Sequence, residues 1–175
     1  MTDRERGYTL IELSVVVLLI GMMLFLAVPR VRDTLLNDNL KAAARSLIGA
    51  AQEMRNESVR EQTDYLLHLD IDTPAFWTAS ADTTAEKRAE LRKAAVRLPE
   101  GIRITDVRQA DEVKKSEGEV AIRFFRRGYA EPAVIHLAKD DRAMTLVLNP
   151  FLQSVTVHEK YVDFSFNEEE RAAGF

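Results

Sequence analysis

The sequence predicts an α+β protein in which one long amino-terminal helix packs on an antiparallel β-sheet or β-sandwich domain. Three observations predict it. Tyr8–Val28 reads YTLIELSVVVLLIGMMLFLAV, a run of 21 residues in which Glu12 is the sole charge. Beyond it, apolar residues recur every three or four positions as far as Met54. Past residue 64 they recur every second position, in short runs separated by turn-forming residues.

The first segment has the length of a membrane span. At about 1.5 Å per residue it forms a helix roughly 30 Å long, the hydrocarbon thickness of a bilayer. A soluble core helix seldom needs apolar side chains on every face, and β-branched Val15, Val16 and Val17 are not favoured there by propensity. Residues 8–28 are therefore read as a single transmembrane stretch. A secretory signal would have a shorter apolar core followed by a small-residue cleavage site, and none precedes Pro29 and Arg30. The small residue open to a peptidase is Gly7, ahead of the run. Cleavage there removes residues 1–7 as a leader and leaves the apolar helix on the product.

The helical period continues through Leu36, Leu40, Ala43, Leu47, Ala51 and Met54, with Asp38, Lys41, Arg45 and Gln52 on other faces. One helix over residues 8–63 is the simplest reading. Pro29 is expected to kink it, since proline removes an intrahelical hydrogen bond and crowds the preceding turn. Residues 64–175 then form the β-rich domain. Its expected strands carry Leu67/Leu69/Ile71, Ile102/Ile104, Val120/Ile122/Phe124, Ile135/Leu137, Met144/Leu146/Leu148, Val155/Val157 and Val162/Phe164/Phe166. Turns are expected at Leu98–Gly101 and Lys139–Arg142, a short surface helix at Ala85–Val96, and a charged loop around Lys114, Lys115 and Glu117–Glu119.

Composition excludes several kinds of chemistry. The 175 residues include no cysteine, so there is no disulfide framework, thiolate zinc site or cysteine nucleophile. Lys+Arg 24 against Asp+Glu 28 gives a net charge of −4, which disfavours nucleic acid as the main partner. No nucleophile elbow or phosphate-binding loop occurs. His68, His136 and His158 are widely spaced, and the first two fall on polar positions of alternating strands, which predicts that they face solvent. Asp70 with Asp72, and Asp140 with Asp141, are too few oxygens for calcium. No metal and no cofactor is expected. Arg123, Arg126 and Arg127 beside Phe124, Phe125 and Tyr129 form one basic–aromatic cluster, read as solvated arginines over inward aromatics rather than a nucleic-acid surface.

Glu12 is the anomaly of the apolar run. An ionised carboxylate within a membrane costs about 2.5–3.5 kcal/mol on insertion scales, so it calls for a partner. No Lys or Arg in the run supplies one. A cut after Gly7 would place a new ammonium on Tyr8, one helical turn from Glu12. That amine, the amine of a neighbouring chain, or solvent at the membrane surface each satisfies the carboxylate.

Arg6-Gly7-Tyr8-Thr9-Leu10-Ile11-Glu12-Leu13, followed by the apolar helix ending at Pro29, resembles the prepilin-type cleavage and methylation motif of type IV pilins and type II secretion pseudopilins. Tyr8 stands where phenylalanine is usual. The resemblance implies cleavage between Gly7 and Tyr8 by a prepilin peptidase, N-methylation of Tyr8, and pairing of Glu12 with a neighbour's amine during assembly. The later order is similar to the GspH/FimT-type minor pseudopilins: LPEGIRI at Leu98–Ile104, then IRFFRRGYAEPAVIHL with Phe125 and Gly128, then MTLVLNPFLQSVTV. Phe151-Leu152-Gln153 occupies the closing turn, where a glycine is usual.

This second resemblance implies a pilin-like fold, no catalysis, and a single-pass inner-membrane location with residues 64–175 in the periplasm. The partners it implies are other pseudopilins, major and minor, the prepilin peptidase and an inner-membrane assembly platform. The function it implies is a structural subunit near the tip of the secretion pseudopilus. Two rivals are a FimT-like minor pilin that binds DNA and a membrane-anchored periplasmic enzyme.

Overall fold

The structure is a computed structural model that describes residues 10–110, 113–151 and 154–164, the side chains of 25–38 excepted. The chain divides into two units, residues 1–38 and 39–175. One helix, α1, runs from Leu10 to Arg60, 51 residues, and contributes to both. Pro29 lies within its helical backbone.

In the second unit α1 is amphipathic. Leu40, Ala43, Ala44, Leu47, Ala50, Ala51 and Met54 are buried, at the spacing of one helix face. Four of these seven are alanines, so the sheets can approach the helix backbone closely. Gln52 and Glu53 stay exposed on another face.

Eight strands follow: β1 (Tyr65–Asp70), β2 (Ala75–Ser80), β3 (Val96–Arg97), β4 (Arg103–Gln109), β5 (Glu119–Phe124), β6 (Ala133–Lys139), β7 (Arg142–Leu148) and β8 (Val155–His158). A short helix, α2 (Ala85–Lys93), stands between β2 and β3. Thr84 caps it, its hydroxyl accepting from the Lys87 amide, and it buries none of its residues. The strands form two four-stranded sheets, β3-β2-β1-β5 and β4-β6-β7-β8. Every pairing is antiparallel.

The fold is thus the expected helix on antiparallel β-structure. Leu47 and Ala51 of α1 meet Leu67 of the first sheet and Ile135, Leu146 and Leu148 of the second around one small gap. One core therefore lies between α1 and the inner faces of both sheets. The Lys139–Arg142 turn is a two-residue hairpin between β6 and β7, with Asp140 at φ 52°. The turn after β5 is held by two backbone bonds between Phe125 and the Gly128–Tyr129 pair. Gly128 has φ +88°, a conformation side chains resist, and a Cβ there would meet Val59 at 3.4 Å.

Four sequence expectations need correction. The surface helix expected over Ala85–Val96 ends at Lys93, because Val96 pairs with Phe76 to open the short strand β3. β2 was not anticipated, because Ala-Phe-Trp-Thr-Ala-Ser shows no clean alternation. Its Phe76 faces the core and its Trp77 is buried as well. Residues 161–164 form no strand, although Val162 and Phe164 suggested one; Phe166 lies outside the described residues. His68 and His136 do not face solvent, being 7% and 2% exposed. Each occupies the outer face of its sheet, as the alternation predicts, but other chain segments cover those faces.

Candidate functional site

Of the sequence-predicted site residues, Gly7 and Tyr8 lie outside the described residues, and so does the cleavage junction they form. Glu12 lies on α1, exposed, within the first described residues of the helix. Around it, residues 10–24 are exposed on every face, Leu10 by 86% and Met23 by 75%. A helix surface so largely apolar is normally covered by lipid or by other helices. The expected span over 8–28 extends past the described side chains at both ends. Among the described residues no helix is long and apolar enough to cross a membrane. Pro29 belongs to α1, and its side chain lies outside those described.

The β domain holds two histidine–carboxylate pairs, one fully buried and one whose carboxylate is partly exposed. The first forms on the outer face of the second sheet. A bulge between Ile104 and Asp106 shifts the register of β4 on β6, so that Ile104 and Val107 both face the core and Asp106 lies opposite His136. Asp106 Oδ1 is 2.7 Å from His136 Nδ1, and both residues are buried. His136 Nε2 donates to the Val162 carbonyl at 2.9 Å. Thr145, next to His136 on β7, donates its hydroxyl to the Lys160 carbonyl and accepts from the Val162 amide. Tyr161 stacks on the His136 ring, centroids 4.0 Å apart, and Lys114 lies over Tyr161. Contact with the Tyr161 hydroxyl, then the charge of Asp106, hold the Lys114 ammonium above its ordinary value, although burial opposes them. Arg108 closes the far end by donating to the Phe164 carbonyl at 3.0 Å.

Residues 160–164 thus form a strap across this sheet, fastened by side chains rather than by a backbone ladder. Both nitrogens of His136 are engaged, so the pair has no ring nitrogen free to act as a general base. Its chemistry is that of a fastening.

The second pair lies beneath α2. His68 Nδ1 is 2.6 Å from Glu119 Oε1, and its ring stacks on Trp77 at 3.7 Å, nearly parallel. Burial pushes the His68 imidazole below its ordinary value, with the Glu119 carboxylate opposing and Arg88 and Arg92 assisting. His68 Nε2, Trp77 Nε1 and Arg88 Nε find no hydrogen-bond partner among the described residues. At the end of α1, the Tyr65 hydroxyl bonds to Glu61, which pushes the phenol up to about 12 and holds the Glu61 carboxyl below its usual range.

The remaining polar candidates are engaged in turns or spread over the surface. Asp70 accepts from the Thr73 amide, and Asp72 from the Gly118 amide. Among the described residues no group of three or more carboxylates and histidines could hold a metal ion. Arg126 and Arg127 are exposed on the turn after β5, while Arg123 lies 5.9 Å from the Phe125 ring. Phe125 and Tyr129 are half-buried and stack on each other, while Phe124 is the buried aromatic of the cluster. Sequence reasoning missed Asp106, Glu119 and Tyr161. β4 reads Arg-Ile-Thr-Asp-Val-Arg-Gln, and Asp106 is one polar residue among several there, so the local sequence held no signal that singled it out.

Comparison with known proteins places this architecture. The family model for the N-terminal methylation motif matches residues 2–28, and that for the type II transport protein GspH matches residues 43–151. No curated protein matches the chain. Two solved structures of the minor pseudopilin EpsH from the type II secretion system of Vibrio cholerae share its fold. The first is 15% identical with a TM-score of 0.52, covering 73% of this chain and 98% of its own. The second is 11% identical with the same TM-score, covering 71% and 99%. Since the GspH model takes in more than half of the sequence, including most of α1 in the second unit and β1 to β7, the chain belongs to the family of the type II transport protein GspH.

Proposed function

We propose that this protein is a minor pseudopilin that acts by assembly and not by turnover. A prepilin peptidase would cut between Gly7 and Tyr8 and methylate Tyr8. The apolar part of α1 would hold the product in the inner membrane, with the β domain in the periplasm. During assembly that helix leaves lipid for the interior of a short fibre built with other pseudopilins on the inner-membrane platform. There, pairing of Glu12 with a neighbour's amine offsets the cost of burying both charges and sets the register between subunits. The domain would sit near the fibre tip, helping to drive folded proteins across the outer membrane.

One observation carries this reading: a methylation-motif match over 2–28 directly precedes a GspH match over 43–151 in the same chain. The fully engaged nitrogens of His136 agree with a domain that holds shape instead of reacting. The test is expression with and without an active prepilin peptidase, followed by intact mass of the membrane-extracted protein. A product that begins at Tyr8 and is one methyl group heavier supports the reading. An unprocessed chain beside an active peptidase overturns it.

A further inference from the structure

β3 covers only part of the edge of β2. Its register pairs Ala75 with Arg97 and Phe76 with Val96, and the Leu98 amide extends it by donating to the Pro74 carbonyl at 2.9 Å. On the other edge β2 pairs with β1 throughout, and the Ala81 amide continues that register by donating to the Asp64 carbonyl at 2.8 Å. Backbone groups of successive strand residues face opposite edges. Odd-numbered residues of β2 therefore bond to β1, and even-numbered ones face the β3 side. Phe76 is met there by Val96. Thr78, the next such residue, has no strand opposite, because the chain before Val96 belongs to the end of α2. Its amide and carbonyl stand on an open edge.

A cleft of 190 Å³ opens at this place. Phe76 and Thr78 line it from β2, Ala50 and Glu53 from α1, Leu91 from α2 and Val96 from β3. Its lining is mainly apolar, with one carboxylate at the rim: Glu53 is exposed and makes no ion pair among the described residues.

Two other edges of these sheets are partly covered. On β5, Gln109 donates its side-chain amide to the Ala121 carbonyl at 2.9 Å, and Glu131 accepts from the Arg123 amide. On β4, Val107 and Lys115 exchange two backbone bonds. Native edges are also commonly guarded by charge or proline. Trp77-Thr78-Ala79-Ser80 has neither.

We propose that this cleft receives an extended segment of another protein, added as a short strand to the free edge of β2. The segment would be apolar at alternate residues, to lie against Phe76 and Leu91, and would bring one Lys or Arg to Glu53. Main-chain bonds to Thr78 supply affinity in such strand addition, and the side-chain positions supply selectivity.

The test uses the full chain in detergent micelles, with backbone amide exchange followed by NMR. The probe is a capped hexapeptide of alternating threonine and valine with one central lysine; the control carries glutamate in place of lysine. With the lysine peptide at about 1 mM, exchange of the Thr78 amide should slow by about tenfold or more as that amide becomes hydrogen-bonded. Thr78→Pro should abolish the binding. It removes an outward N–H and leaves the β1 ladder intact, so protected β1 amides verify the fold. Glu53→Gln should weaken binding by about threefold to fivefold. An unchanged Thr78 amide overturns the proposal, as does an equal response to the glutamate peptide. A Thr78 amide already slow in the free protein also overturns it: the cleft is then filled by this chain, or by a second copy if the slowing depends on concentration.

Discussion

His136 and Asp106 face each other across β6 and β4, Nδ1 to Oδ1 at 2.7 Å, each only 2% exposed. The bulge in β4 brings the carboxylate there, and the strap at 160–164 seals the pair from water. Removing one partner of a buried hydrogen-bonded pair leaves the other group desolvated without its bond.

Asp106→Asn should therefore cost about 2 kcal/mol of stability, in the range of a lost charge-assisted hydrogen bond. The loss should be concentrated at the strap. The Val162 amide, bonded to Thr145 Oγ1 at 3.0 Å, is expected to exchange faster in the variant while β1 amides keep their protection. Denaturant melts and amide exchange measured together check both; unaltered exchange at Val162 would contradict the fastening role.

His68 makes stability depend on pH. Its imidazole titrates lower in the folded protein than in the unfolded chain, because burial disfavours the cation. The unfolded chain therefore binds the proton first as pH falls. The histidine's effect on stability is nil above its unfolded value of about 6.5, and stability declines from there down to its folded value. Urea midpoints taken between pH 7.5 and 5 should drop more steeply in the native protein than in His68→Gln. Parallel curves would exclude His68 as the source.

Leu47 is 2% exposed and contacts both sheets through Leu67, Ile135 and Leu146. Leu47→Ala removes three carbons from the junction of helix and sheets, and is expected to destabilise by about 3 kcal/mol. Gln52→Ala, on an exposed face of the same helix, should stay within about 0.5 kcal/mol of the native protein. Paired denaturant melts of the two variants check the contrast.

Glu12→Leu separates membrane anchoring from assembly. A leucine suits an apolar helix at least as well as a carboxylate, so insertion and cleavage should persist. Incorporation into the fibre should fail, because a neighbour's amine would be buried without its counter-charge. Normal incorporation, scored by shearing fibres from cells and immunoblotting, would remove the pairing role from Glu12.

The linear sequence determined the elements whose signal is local. An all-apolar run, then a 3.6-residue period, then a two-residue period gave the helix and seven expected strands, six of which formed. The methylation motif over residues 2–28 was legible for the same reason, as its signal lies in spacing along one segment. The Asp140–Asp141 hairpin could likewise be read from turn chemistry, and Gly128 from the resemblance to the GspH/FimT-type order.

Tertiary structure alone decided what depends on long-range placement. β2 needed β1 and β3 beside it, since Ala-Phe-Trp-Thr-Ala-Ser carries no alternation of its own. The polar positions of His68 and His136 were read correctly as outer-face positions, yet period-two alternation cannot tell an outer face in water from one beneath α2 or beneath a strap. That choice depends on chain segments far away in sequence: Glu119 is 51 residues from His68, and Val162 is 26 from His136. One extra residue in β4 set Asp106 against His136, and such a bulge is a consequence of pairing with β6, which the local sequence does not encode.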